Sequence, residues 1–407
     1  MTTDFDIAIA GGGLNGPTLA LALAGAGLRV AVIDPRPADA RAADEFDGRA
    51  YALAVASQRL LKALGLWGVL EGESQPIHEV KASQGRPGEG AAPFFLHFDS
   101  AEIEEGPVGY MLEDRFLYRA LLAGMDCSVT HMPGVSVIGQ DVGASRVTVA
   151  LSDNRQVTAH LLIGADGRGS GVARRAGIGR QGWDYGQTAL VAAIDHELPH
   201  EGIAHQYFMA TGPLAILPLP GNRSSVVWSE TNANAGAIKS LPDEEFLDVL
   251  KPRFGGFLGE IALAGQRFFY PLSLSLAESY TAPRVALVGD AAHGVHPVAG
   301  QGLNLGLRDV AALAQVIVEA ARRGEDFGVG DVLERYQQWR RFDATSLALG
   351  MDTVNRLFAS ENPVLAAMRG AGMGLVTAMP ELRRRFMRQA AGLSVDPMPR
   401  LLNGRAL

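Results

Sequence analysis

Residues 285–309, VALVGDAAHGVHPVAGQGLNLGLRD, hold the densest set of chemistry-bearing groups in the chain. An apolar run from Val285 to Val288 stops at Gly289-Asp290, and a loop rich in Gly, Pro and His leads into a helix opening around Gly302 to Gly306. A carboxylate at a strand end accepts hydrogen bonds from ligand hydroxyls. A glycine-rich helix N-terminus presents unpaired N–H groups and the positive end of a dipole. Together these groups suit a polyhydroxylated, partly anionic ligand.

A second nucleotide signal stands at the other end of the chain. The run FDIAIA leads into Gly11-Gly12-Gly13-Leu14-Asn15-Gly16, a G-x-G-x-x-G pattern, followed by an apolar helix from about Pro17 to Ala26 and a strand that ends at Asp34. Gly11 permits the tight turn, Gly13 lets the backbone approach a pyrophosphate, and Gly16 allows close helix–strand packing. Asp34 follows about 20 residues on, where a carboxylate takes adenosine ribose hydroxyls and disfavours a bound NADP. The pattern does not choose between NAD and FAD. A further apolar run, Leu161 to Ala165, also ends in an acid, Asp166-Gly167, with Ser170 and Arg174 beyond. His293 and His296 lack the carboxylate–His spacing of a metal site, so both are expected to shape the loop around Pro297, and no metal is expected.

These groups need a large scaffold. At 407 residues, 47% hydrophobic and 20% charged, the chain is sized for one large or two intimately joined domains. A net charge of −8 argues against a nucleic-acid binder, and the single cysteine, Cys127, reads as an inert small residue. No secretory signal or spanning helix is evident. A cytoplasmic location fits, with a peripheral place on the inner membrane left open.

Ser57 onward and Glu113 to Ala123 have helical periodicity, and 84–107 reads as a loop or irregular hairpin. Short β-branched runs from Cys127 to Val157 suggest antiparallel strands, and 186–231 alternates as strands do. Helix is expected over 243–264, strand over Arg267 to Leu276, and helices over 303–323, 331–358, 363–376 and 380–391. The β-rich middle interrupts an α/β unit, which makes the smaller domain an insertion.

The G-x-G-x-x-G turn, Asp166-Gly167 and Gly289-Asp290 together resemble the FAD-dependent aromatic hydroxylases of the p-hydroxybenzoate hydroxylase type. HPVAGQGLNLGLRD (His296 to Asp309), FDGRAYALAVASQRLLKALGLW, GPLAILPLP with VVW, and YPLSLS resemble the ubiquinone-biosynthesis hydroxylases, in the branch of the 2-octaprenyl-6-methoxyphenol hydroxylase. The likeness runs from about residue 5 to 345. It implies an α/β fold: a Rossmann-like FAD-binding domain (1–75, 106–182 and 277–345), an inserted β-sheet-rich substrate domain (76–105 and 183–276), and a C-terminal helical region (346–407).

By the same resemblance, Gly11, Gly13 and Gly16, in a turn that includes Leu14 and Asn15, hold the ADP half of FAD with Asp34. Arg49 approaches the flavin or pyrophosphate from the opposite side. Gly289 and Asp290 reach the ribityl chain, with Asp114 as a second ribityl contact, and Asp166 is the cofactor position of the mid-chain motif. Pro297 and the backbone from Gly300 through Gly302 and Leu303 to Asn304 line the pyrimidine edge. Ala173 departs from the pattern, which has an arginine there. The implied activity is ring hydroxylation of a polyprenylated phenol in ubiquinone biosynthesis, with NAD(P)H as a transient co-substrate and O2 activated as a flavin C4a-hydroperoxide. No side chain is expected as a nucleophile, because the flavin carries the chemistry.

Two other readings stand beside it: a flavin-binding structural subunit of a quinone-biosynthesis complex, which Ala173 favours, and an FAD monooxygenase for another aromatic substrate. A halogenase would need a W-x-W-x-I-P stretch that the sequence lacks. The apolar 363–379 segment beside Arg383, Arg384 and Arg385 points to docking on anionic lipid or to packing on the protein's own core.

Overall fold

The computed structural model describes residues 3–38, 42, 46–86, 90–297, 300–359, 374, 376 and 379–407. Five parallel strands form the spine of the first sheet, in the order Val285–Leu287, Gln156–Gly164, Phe5–Ala10, Val30–Asp34 and Thr130–Pro133. Ile7, Ala8, Ile9, Leu161, Leu162 and Ile163 are completely buried. Such continuous apolar runs mark parallel strands covered on both faces. Register pairs Ala10 with both Gly164 and Ile33, and Gly164 with Leu287. The chain therefore leaves four neighbouring strands at one edge, carrying the glycine turn, Asp34, Asp166 and Gly289-Asp290. In open α/β sheets that carboxyl edge is where ligands sit.

A second, mostly antiparallel sheet stands beside the first, in the order His293–Gly294, Ile261–Ala277, Arg180–His196, Arg223–Thr231, Gly212–Leu219, Ile203–Met209, Glu79–Arg86 and Gly90–Asp99. One face is packed by the helices Asn232–Lys239 and Asp243–Phe254, through Ile238, Phe246, Leu250 and Phe254 against Leu190, Ile216 and Trp228. The alternate residues form the opposite face. A small sheet of Ala50–Ala54, Gly109–Glu113 and Ser74–Ile77 lies between the two larger ones in sequence. The loop strand His293–Gly294 pairs with Ile261–Ala277, so the Gly289-Asp290 segment belongs to both architectures.

Two local expectations change, and a third resolves to the irregular hairpin it allowed. The run at Thr130–Pro133 pairs parallel to Val30–Asp34, because the helix Asp114–Met125 returns the chain to the same edge before it. The helix expected over 243–264 stops at Phe254, where Gly255 turns left-handed with φ +86°, and a strand has begun by Ile261. Within 84–107 the chain is regular from Gly90 to Asp99, paired to Glu79–Arg86 with one register shift at Ser83.

The helices Gln301–Arg322 and Gly330–Ala359 complete the layers over the first sheet, and the Tyr336 hydroxyl donates to the Leu287 carbonyl at 2.7 Å. The helix Pro380–Ala390 is tied to the 102–105 turn by Arg383 to Glu102 at 2.7 Å and Arg388 to Glu105 at 2.5 Å. The helix expected over 363–376 falls almost wholly outside the described residues. Among those described, no helix is long and apolar enough to cross a membrane.

Candidate active site

The glycine turn is shaped by contact with its neighbours. Gly11 holds φ +116°, and a Cβ there would fall 2.3 Å from the Ala165 carbonyl oxygen. A Cβ at Gly16 would fall 1.9 Å from the Gly11 carbonyl oxygen, so the helix Asn15–Ala24 starts flush against the strand it follows. The buried Asp34 carboxylate accepts the Gly12 N–H and, at 2.8 Å, the Arg36 N–H. Leu14 is buried, and its carbonyl accepts the Thr18 hydroxyl at 2.6 Å. Asn15 turns inward, where a Cβ on Gly289 or on Gly306 would lie 2.2 or 2.4 Å from its Nδ2. Its side chain keys the first helix to the late loop and to the helix Gln301–Arg322.

The Gly289-Asp290 loop is held from beneath by a buried ionic cluster. Asp309, completely buried, accepts the Gly289 N–H at 3.0 Å, His293 Nε2 at 2.5 Å and Arg340 Nε at 2.8 Å. Burial alone would raise its carboxyl, but the charges of His293 and Arg340 outweigh that and hold it below the ordinary carboxylate range. Arg340 also pairs with Asp343. From above, the Arg180 guanidinium donates to the Asp290 and Ala291 carbonyls. The Asp290 carboxylate itself is half exposed, with Arg168 Nε at 3.1 Å. Sequence reading passed over Arg168 and Arg180. Arg168 stood within GADGRGSG as a visible signal, whereas Arg180 had none.

Asp166 faces the short helix Gly171–Arg175, accepting the Ser170 hydroxyl at 2.5 Å and the Val172 N–H at 3.1 Å. Ala173 is buried there, and Arg175 turns toward Gln140 at 3.3 Å. The cation of this motif that reaches the Gly289-Asp290 loop is therefore Arg168. Arg49 and Asp114, far apart in sequence, meet at 3.6 Å, with Asp47 on the same guanidinium and the Phe268 ring 5.7 Å away.

Gly300, in the left-handed region at φ +62°, precedes the helix Gln301–Arg322, and no side chain of the described residues caps that N-terminus. A Cβ at Gly302 would meet nothing within 4 Å. The Asn304 side chain is fully engaged in fixing this end of the helix. It accepts the Ala54 N–H and the Ser57 hydroxyl, both at 2.8 Å, and donates to the Ala52 and Gly300 carbonyls. What faces outward, beside Leu303, is the helix N-terminus with the positive end of its dipole.

A cavity of about 1930 Å³ joins these parts. Arg36, Arg49, Arg168, Asp290, Pro297 and 300–304 line one part of it. The front face of the second sheet lines another, and small side chains (Ala82, Ala189, Ala204, Ala215) keep that face low. Phe342, Leu357 and Phe386 line a third part while remaining 82%, 37% and 51% exposed, which puts them at the mouth. The donor set fits FAD: a tight glycine turn and Asp34 at one end, then the half-exposed Asp290, then an uncapped helix end with open space at Gly302.

Fold and site thus define a flavoprotein with an apolar chamber beside its cofactor cleft. Residues 4–348 match the FAD binding domain family. Ubiquinone hydroxylase UbiL of Rhodospirillum rubrum is 45% identical across 98% of this chain and 92% of its own. The 3-demethoxyubiquinol 3-hydroxylase of Escherichia coli is 36% identical across 95% of this chain and 98% of its own. Among solved structures, p-nitrophenol 4-monooxygenase PnpA of Pseudomonas putida superposes with a TM-score of 0.80 at 19% identity, over 97% of this chain and 99% of that one. The chain belongs to the FAD binding domain family and is an FAD-dependent monooxygenase of the p-hydroxybenzoate hydroxylase type.

Proposed function

We propose that the protein hydroxylates the ring of a polyprenylated phenol on the way to ubiquinone, using NAD(P)H and O2. The observation that carries this is the continuity of one cavity from the uncapped helix end to an apolar sheet face and an exposed apolar mouth. A phenolic head with a long hydrocarbon tail matches that sequence of surfaces. FAD held by the glycine turn, Asp34, Asp290 and the 300–304 segment would supply the redox chemistry of nicotinamide oxidation and O2 activation.

The chain's own residues bind, orient and exclude water. Gly11, Gly13, Leu14 and Gly16 form the turn for the ADP half, and Asp34 takes its ribose. Asn15 serves the site by locking that turn to Gly289. Asp290, Arg49 and Asp114 serve the middle of the cofactor. Pro297, Gly300, Gly302, Leu303 and Asn304 serve the flavin edge, where a helix end favours the negative charge of the reduced ring. Asp166 acts through the helix it caps. Residues 1–75, 106–182 and 277–345 would then form the FAD-binding domain, 76–105 and 183–276 the substrate domain, and 346–407 the C-terminal helical region. The exposed mouth gives the protein a peripheral place on a membrane that holds the substrate, beside other quinone-biosynthesis proteins.

The test is reconstitution. FAD-loaded protein should oxidise NAD(P)H faster with a prenylated phenol and form hydroxylated product in proportion. NAD(P)H oxidation that the phenol does not stimulate, with no product, would refute the assignment. The ring carbon follows from the intermediate that accumulates in a strain lacking the protein.

A further inference from the structure

The flavin-side face of the second sheet can be read row by row from its strand register. One row runs Ala82, Gln206, Ala215, Val227, Val191, Phe268 across six strands. Five of the six are apolar. Phe268, at the end of the row, lies beneath the Arg49 guanidinium, 5.7 Å from it. Gln206 is the only polar side chain in the row, and its cross-strand partners are both alanines.

Gln206 lines the main cavity and a small recess formed with Pro213, Ala215, Val227, Ser229 and Pro297. Pro297 belongs to the loop that leads into the uncapped helix, which puts the carboxamide next to the flavin-facing segment. Its Nε2 donates to the Leu214 carbonyl at 3.3 Å, while no partner engages its Oε1 among the described residues. That bond fixes the amide with its acceptor available. A polar group on an otherwise apolar wall is costly to leave unpaired once a ligand excludes water.

We infer that Gln206 is the residue that orients the substrate ring, its Oε1 accepting the phenolic O–H of a phenol bearing an apolar chain. This rests on the reading of the chamber as the phenol site. An amide has no proton to gain or lose near neutral pH, so it sets the ring's orientation relative to the flavin without acting as a base. Its place in an otherwise apolar row gives the ring one anchored position, and the tail's route to the mouth gives a second. Together they determine which ring carbon faces the cofactor.

The experiment measures binding, read from the perturbed flavin absorbance of FAD-loaded protein titrated with 2-geranylphenol and with geranylbenzene, which lacks the hydroxyl. The native protein should prefer the phenol by about tenfold, the worth of one buried hydrogen bond. In Gln206→Leu and Gln206→Met that preference should collapse toward unity, with FAD content unchanged. An undiminished preference in both variants overturns the inference. Loss of FAD from both also overturns it, because it would place Gln206 in the cofactor cradle and not on the ring. A phenol preference that depends on Gln206, without any hydroxylated product, would refute the proposed reaction and leave the orienting role standing.

Discussion

At the scale of single residues, the site divides into groups that serve the fold and groups left facing the cavity. Asp290 is of the second kind, half exposed and paired with Arg168. Asp290→Ala should therefore fold normally and lose FAD retention by about tenfold or more, since hydrogen bonds to charged groups contribute about 1.5–3 kcal/mol. Normal flavin content in the purified variant would contradict its role. Gly302→Ala separates space from stability more sharply. The added Cβ meets no described atom within 4 Å beyond its own helix, so the unfolding free energy of the FAD-free protein should hold or rise by up to about 1 kcal/mol while FAD affinity falls. Equal affinity in variant and native protein would show that the gap at Gly302 is not used. Sequence pattern exposed such residues because glycine-acid pairs at strand ends are visible in one dimension. It did not distinguish Asn15, whose side chain proves to be a wedge between Gly289 and Gly306, from its neighbours in the turn.

At the scale of elements, the Asp309 cluster decides whether the late loop keeps its shape. Asp309→Asn leaves Arg340 and His293 buried beside a neutral group, and breaking a buried ion pair costs about 3–5 kcal/mol. Urea denaturation should show a loss of that order, and a change below about 1 kcal/mol would mean the cluster is not holding the loop. His296, buried against the Tyr185 ring at 5.1 Å, gives a pH signature. Burial, and then the charge of Arg168, push its pKa down to about 4. The unfolded chain takes up that proton near pH 6.5 and the folded chain only near pH 4. Stability should therefore fall as pH drops through that window, by up to about 1.4 kcal/mol per unit, and His296→Gln should flatten the slope. An equal slope in the variant would assign the effect elsewhere. Helices with clear apolar stripes were legible in the sequence almost to the residue, as at Gly330–Ala359. The parallel pairing of Thr130–Pro133 was not, since pairing direction depends on where the preceding helix delivers the chain.

At the scale of the whole molecule, the arginine cluster near the C-terminus resolves into two uses. Arg383 and Arg388 secure their own helix to Glu102 and Glu105, while Arg384, paired with Glu381 at 2.7 Å, and Arg385 are exposed on the helix that carries Phe386. Membrane binding would rest on the latter pair and on Phe342 and Phe386. The native protein should co-sediment with anionic liposomes. Binding should weaken when Arg384 and Arg385 become Ser, and weaken further when Phe342 and Phe386 do, each basic residue contributing about 1 kcal/mol near such a surface. No sedimentation of the native protein would rule out the membrane role. The two-sheet plan was readable in outline from the β-rich middle of the sequence, but the chamber was not. Its floor draws on the strands Glu79–Arg86 and Ile203–Met209, which only the folded register sets side by side.

That register also bears on modularity. The second sheet takes Glu79–Arg86 and Gly90–Asp99 from early in the chain, five strands from the middle, and closes with His293–Gly294 from within the late loop itself. No single cut frees one sheet from the other. A chamber from a relative cannot be grafted as a cassette between two splice points. A change of substrate in this architecture has to come by replacing side chains on the existing floor, one position of the row at a time.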